Sequence, residues 1–202
     1  MLVKQIIMII NHQFLNQKFF FPHWKIETLV LGTFNPECAE ITDYFYGRSR
    51  NRFWKAIENL TDNEHNFFLN NFNRKKSFME KYKFGCTDLI KSININENYK
   101  QKICGKGYTD SALFTLRHVT STYQFEEIKE YLISKQVKKV INTWGKRNNP
   151  NLLANQIDDL ENFCNENKID FIRNCPSPSP RARNDIDFLK AFYKKHIFNI
   201  IE

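Results

Sequence analysis

A chain of 202 residues with a formal charge of +8 is long enough to bury a real core as one domain without relying on disulfides. The lysine excess comes with abundant Asn, Ile and Phe, as expected of an AT-rich coding sequence, so the global charge alone does not specify a polyanionic partner. Five widely spaced cysteines (Cys38, Cys86, Cys104, Cys164, Cys175) contain no Cys-x-x-Cys pair, which argues against a disulfide framework, a zinc ribbon or an iron–sulfur site and predicts reduced thiols in a cytoplasmic protein.

Strands and helices alternate along the chain. The opening run Met1–Ile10 is apolar apart from Lys4 and Gln5. It is too short to span a bilayer and lacks a clear cleavage site, so an opening strand or docked segment is expected. Ile26–Phe34 is an aliphatic run stopped by Gly32 and Pro36, which predicts a central parallel strand buried on both faces. Ser49 is placed to cap a helix whose apolar face is Phe53, Trp54, Ile57 and Leu60. Lys83–Leu89 reads as a second strand. Phe125–Lys135 reads as an amphipathic helix with Ile128, Leu132 and Ile133 inward, and Lys138–Trp144 as a third strand closed by Gly145. A helix over Asn151–Asn165, a fourth strand over Ile169–Asn174 and a C-terminal helix over Asn184–Ile197 complete the series. No repeat, linker or composition break divides residues 1–202, so one domain is expected. Its predicted architecture is three-layer α/β/α, a mainly parallel four-stranded sheet with helices on both faces.

Two segments are dense in chemistry. The first runs from Leu29 to Trp54: a buried run ends in Gly32-Thr33-Phe34-Asn35-Pro36, followed by Tyr46-Gly47-Arg48-Ser49-Arg50-Asn51-Arg52-Phe53-Trp54. Rings to sandwich a planar group, cations for phosphate and amides to hold a water suit chemistry on a nucleobase. The second is Cys175-Pro176-Ser177-Pro178-Ser179-Pro180-Arg181-Ala182-Arg183, in which alternating prolines fix φ and pre-aim the side chains. Ser177 and Ser179 can bond phosphate oxygens, and Arg181 and Arg183 can contact phosphate or enter the minor groove; the alternative is a rigid connector with solvated arginines. Five of the nine arginines fall in these two segments. Both would emerge at the carboxyl ends of the strands, where ligands sit in such sheets.

Other chemistries find no support. His12, His23, His65, His118 and His196 are scattered, with no His-Glu-x-x-His pattern, and no phosphate-binding Gly-x-x-x-x-Gly-Lys loop is present. No metal or cofactor is expected. Asp88 and Asp110 could serve as catalytic carboxylates, but each reads first as the cap of a turn or a helix.

Together these motifs resemble the uracil-DNA glycosylase superfamily, most closely its hypoxanthine-type and mismatch-specific branches. Gly32–Pro36 resembles the first superfamily motif, whose strand-end turn carries a water-positioning amide or carboxylate. Tyr46–Trp54 resembles the aromatic and Asn-x-Phe-Trp stretch of those branches. Phe84–Leu89 with Asp110-Ser111-Ala112 resembles their middle segment, Val140–Lys146 the strand ending in a Gly-Lys turn, and Cys175–Arg183 the Pro-Ser minor-groove loop. The match covers about half of the chain, in the expected order. It implies a monomeric, cofactor-free glycosylase that excises a damaged, deaminated or modified base from DNA. Uracil and hypoxanthine are its first suggestions, and some relatives act on modified pyrimidines of phage DNA, so repair and antiviral defence both stand. A DNA-binding relative without catalysis is the rival.

The chain departs from the family pattern at two points. The position two residues after Gly32, where the superfamily places its catalytic amide or carboxylate, is Phe34. The water-positioning group is therefore Asn51 or Asn35, with Asn51 slightly favoured. Cys175 stands where the uracil-specific branch has a histidine, which puts strict uracil specificity in doubt. The expected base pocket is Gly32, Thr33, Phe34 and Tyr46. Phe34 and Tyr46 are the stacking plates unless they serve only the core, and Arg48, Ser177, Ser179, Arg181 and Arg183 contact DNA. Arg181 is the first choice to fill the space the base vacates.

Overall fold

A computed structural model describes residues 6–105, 108–116, 119–143 and 154–198. Strand β1 (Ile7–Asn11) opens the chain, and β2 (Thr28–Gly32) is buried at all five positions, as its aliphatic run demands. Helices α1 (Phe53–Leu60) and α2 (Phe72–Tyr82) follow, then β3 (Phe84–Asp88) and β4 (Ile90–Asn96). Short helices α3 (Lys100–Cys104) and α4 (Ser111–Thr115) lead to β5 (Thr120–Tyr123), α5 (Phe125–Ser134) and β6 (Lys139–Asn142). Helix α6 (Ala154–Glu166), β7 (Asp170–Ile172) and α7 (Ile186–His196) close the described chain.

Strands β3-β2-β6-β7 form a four-stranded parallel sheet. Helix α1 packs on α7 and α5 on α6, so the sheet is flanked by helices in an α/β/α arrangement. The expectation of a single sheet is corrected: β1, β4 and β5 form a second, antiparallel sheet in the order β1-β4-β5. The two sheets meet at one residue, Leu89, which separates β3 from β4. Leu89 N–H donates to Gly32 O at 3.1 Å and Ile90 N–H to Thr33 O at 3.1 Å, so β2 carries its pairing past its own end into the second sheet. The opening run does supply a strand, whose outer face leaves Ile7 and Ile9 exposed. Strands β4 and β5 mix in polar residues and alternate too weakly to stand out in the sequence.

Local corrections have simple causes. Helix α1 is not capped by Ser49. Asn51 Oδ1 accepts from Phe53 N–H at 2.9 Å, while Ser49 N–H donates to Glu40 Oε1 at 2.8 Å. On α5, Ile128, Tyr131 and Leu132 are buried but Ile133 is half exposed, because a 3.6-residue period turns it away from Ile128. The predicted turn at Gly145 and Lys146, the start of the predicted helix at Asn151, and Met1–Gln5 lie outside the described residues. Among the described residues no helix is long and apolar enough to cross a membrane.

An aromatic core underlies the first dense segment. Tyr44, Phe45, Phe53, Trp54, Phe68 and Phe84 are buried, and Trp54 Nε1–H donates to Phe45 O at 2.9 Å. Lys75 on α2 ties the turn before Tyr44 in place through Asp43, at 2.5 and 2.6 Å to its two oxygens.

The expectation of five reduced thiols is also overturned. Cys38 and Cys104 form a disulfide across 66 residues, while Cys86, Cys164 and Cys175 are free and buried. Sequence spacing could not reveal the pair, because folding alone brings the two loops together. Alkylation of the denatured protein without reductant should label three of the five cysteines. Cys38→Ser should lower the unfolding free energy by roughly 4 kcal/mol, the chain-entropy value for a closed loop of this length, as read by urea denaturation.

Candidate active site

A pocket of about 400 Å³ opens at the carboxyl ends of β2, β3 and β6. Its floor is Gly32, Thr33, Phe34, Asn35, Asp88 and Thr143, and Tyr46, Arg48, Asn51, Tyr108 and Asp110 line its walls. Ser177, Pro178, Ser179, Pro180 and Arg181 form part of the rim. The structure thus brings most of the sequence-predicted site residues into one cavity; Arg183 is not among its lining residues.

Gly32 is required by what lies above it. A Cβ there would stand 2.1 Å from Asp88 Oδ1 and 3.0 Å from the Tyr46 hydroxyl. Asp88 is not a turn cap, as the sequence suggested. It is buried at the end of β3, and its Oδ2 accepts from His12 Nε2–H at 2.8 Å and, more weakly, from Asn35 Nδ2 at 3.4 Å. His12 follows β1 directly, and Phe14 N–H donates to its Nδ1 at 3.0 Å. That bond makes Nδ1 the acceptor and leaves the ring proton on Nε2, facing Asp88. Rings of Phe14, Phe20, Phe34 and Phe45 surround the imidazole, with centroids 5.0–5.8 Å away. A lone histidine after an aliphatic run carried no signal in the sequence.

The two asparagines are placed differently. Asn51 lines the pocket but commits its side-chain oxygen to the first turn of α1. Asn35 leans its amide nitrogen on Asp88, which leaves its side-chain oxygen as an acceptor on the pocket floor. Phe34 serves both core and cavity: it is buried, sits edge-on to His12 and lines the pocket. Tyr46 adopts a left-handed conformation (φ 58°) that carries its ring onto Phe53, at 4.5 Å and nearly parallel. The Thr143 hydroxyl donates to Leu31 O at 2.9 Å, so the Tyr46 hydroxyl is the donor in its 3.0 Å bond to Thr143. Burial pushes the Tyr46 phenol well above its ordinary range, which keeps it a donor.

Arg48 lies over the Tyr108 ring, 4.8 Å from its centroid. Among the described residues its Nε and Nη2 atoms are buried without a hydrogen-bond partner, while the Tyr108 hydroxyl faces the Asp110 carboxyl. Nε and Nη2 form one edge of the guanidinium, so two parallel donors wait on the same wall. Buried donors left unpaired are costly in a folded chain, and a site for an absent ligand accounts for them. Asp110 begins α4 but makes no side-chain cap bond, contrary to the sequence expectation. Burial raises its carboxyl above the usual range and the Asp88 charge adds to that, while Arg48 and the Thr33 hydroxyl pull it down.

The proline loop is stapled to the arginine segment. Arg52 N–H donates to Pro178 O at 3.0 Å, its guanidinium bonds Asn184 O, and Asn184 Nδ2 donates to Ser177 O at 2.9 Å. Ser177 Oγ accepts from Ser179 N–H at 3.3 Å. At the mouth, Arg181 Nη1 donates to Thr109 Oγ1 at 3.1 Å, and exposed Arg50 stands on the rim. Arg183 is exposed and ends a 3-10 turn at φ 53°. Cys175 is fully buried and burial raises its thiol far above the usual range, so it offers no strong donor to a ligand. The Cys38–Cys104 disulfide joins the loop of Ala39 and Glu40 to that of Gly105, clamping two walls of the pocket.

No protein-family model matches this chain, and no curated protein matches it.

A raised carboxyl in a pocket is a cost to folding that a binding site retains. Asp110→Asn should therefore raise the melting temperature near neutral pH, where the fold holds a penalised carboxylate. The gain should vanish on acidification below the ordinary aspartate range, where the carboxyl is neutral in folded and unfolded chains alike. Thermal melts from about pH 3 to about pH 8 read this directly; a difference that does not change with pH contradicts it.

Proposed function

We propose that the chain is a monofunctional DNA glycosylase that takes an extruded base into this pocket and hydrolyses its N-glycosidic bond, leaving an abasic site. The observation that carries the reading is the pocket itself. At the ends of three parallel strands, a polar cavity holding amides, rings and an unpaired guanidinium edge is rimmed by two stapled arginine loops. DNA is the partner, the protein acts as a monomer, and no metal or cofactor takes part.

Physical chemistry assigns the roles. Extruding a base costs a few kcal/mol, and stacking on a ring returns about 1–3 kcal/mol per base; Phe34 and Tyr46 offer the ring surface. The Arg48 edge donates to acceptor atoms of the base and, with backbone N–H groups of the Gly32–Asn35 turn, stabilises the negative charge that grows on the leaving base. Asn35 holds the attacking water through its side-chain oxygen, with Asn51 completing the wall while anchoring α1. Arg181 fills the space left in the duplex, and Arg183, Ser177 and Ser179 contact phosphates.

The deciding experiment is base excision from duplexes each carrying one uracil, hypoxanthine or 5-substituted pyrimidine, read as alkali-labile sites. Cleavage of at least one is expected, and its identity separates genome repair from defence against modified phage DNA. Salt-sensitive binding without excision of any base points instead to a non-catalytic DNA-binding relative. On the excised base, Asn35→Ala should lower the single-turnover rate by roughly 10²–10⁴. Asn51→Ala should act mainly on stability, at about 1 kcal/mol for the lost helix-start bond. Equal rates for both variants and the parent exclude water positioning by either amide.

DNA affinity should fall with salt at a slope of about −0.9 per phosphate neutralised. Arg181→Ala and Arg183→Ala should weaken binding while leaving the melting temperature almost unchanged, since exposed loop substitutions cost little. Unaltered binding and excision in both would reduce the loop to a connector.

A further inference from the structure

We propose that Asp88 is a catalytic carboxylate of this pocket, facing the sugar cation that forms as the base departs, and that His12 is its positioning residue. The inference rests on the glycosylase reading and places the charge on β3, where no signal in the turn after β2 marks it. That turn carries Phe34 and Asn35 and no acidic side chain before Glu37. Three carboxylates line the pocket. Glu40 is exposed and spent on Ser49 N–H, and Asp110 stands against Arg48 on a side wall. Asp88 alone is fixed on the floor.

Its geometry is that of a charge held for use. Oδ2 takes the 2.8 Å bond from His12 and the longer one from Asn35, while Oδ1 overhangs Gly32, the one floor residue with no side chain to block it. The Phe14 N–H and the ring cage prevent His12 from turning away. Asp88 and Asn35 both line the cavity and touch through Oδ2 and Nδ2 at 3.4 Å, and the attacking water is assigned a seat between the Asn35 oxygen and Asp88 Oδ1.

The step balances without a co-reactant. The water oxygen forms a bond to C1′ as the C1′–N bond breaks, and that electron pair leaves with the base. One water proton passes to Asp88 Oδ1 and then to solvent, and the base anion takes a proton from solvent. The fixed negative charge stabilises the positive sugar between the two bond changes.

The test needs no knowledge of the excised base. Binding is measured by fluorescence anisotropy to two duplexes: one with a neutral tetrahydrofuran abasic site, the other with a pyrrolidine abasic site whose ring nitrogen is cationic. The parent should bind the cationic duplex about 10- to 100-fold more tightly, as expected of a close charge pair in a half-buried site. Asp88→Asn should bring the ratio close to unity. His12→Gln, which keeps a donor where Nε2 stands, should retain the preference, and His12→Phe should lose most of it.

A parent without the preference, or a preference that survives Asp88→Asn, overturns the assignment while neutral-duplex binding leaves the glycosylase reading standing. A parent that binds neither duplex overturns both. Should Asp88→Asn melt early, the His12 pair decides: equal ratios in His12→Gln and His12→Phe count against the proposal.

Discussion

The contact between His12 and Asp88 beneath Gly32 is the constraint on which the site depends. It joins the end of β1 to the end of β3, and so locks the antiparallel sheet against the parallel one at the seam where Leu89 crosses between them. Two buried polar groups meet there: His12 is satisfied by Phe14 N–H at Nδ1 and by the carboxylate at Nε2, and Asp88 takes its shortest bond from His12 with a longer one from Asn35. Removing Asp88 would leave the His12 Nε2–H unmet inside its cage of rings, a cost that a donor exposed to water does not carry. The same contact dictates the glycine, because Asp88 Oδ1 occupies the volume a Cβ at position 32 would need.

Around that anchor the pocket is assembled from loops that do not hold their own shape. The prolines stiffen the 176–180 segment, but its seat comes from Arg52 and Asn184. The 38–40 loop is held to the 104–105 turn by a disulfide, and Arg181 crosses the mouth to Thr109. Among the described residues the arrangement leaves unpaired, inside the cavity, atoms a ligand would use: one edge of the Arg48 guanidinium. A rigid frame around unmet hydrogen-bonding capacity is how a fold keeps binding groups oriented before a ligand arrives.

Much of this was legible in the amino-acid order. The aliphatic run at Thr28–Gly32 could only be a doubly buried strand, and the Phe53, Trp54, Ile57 face could only be a helix against a core. The dense segments Leu29–Trp54 and Cys175–Arg183 pointed to the carboxyl ends of the strands, and residues of both line the cavity there. The second sheet was less legible, since β4 and β5 mix polar residues into short strands that alternate weakly. The capping roles expected of Asp88, Asp110 and Ser49 failed for two reasons. For the two aspartates, partners from far along the chain take the carboxyl (His12 for Asp88, Arg48 and Thr33 for Asp110), and for Ser49 the helix starts later and Asn51 caps it.

The sequence by itself determined the parallel α/β layers, the strand-end location of the chemistry and the loops that carry it, because these follow from hydrophobic period and from backbone restrictions at glycine and proline. Tertiary structure alone decided the partnerships. It paired His12 with Asp88 across 76 residues and Cys38 with Cys104 across 66, turned the Asn51 oxygen to the helix and the Asn35 nitrogen to the carboxylate, and buried the Arg48 edge unpaired. Such contacts join side chains whose separation along the chain carries no period, so only the packing of both sheets brings them within bonding distance.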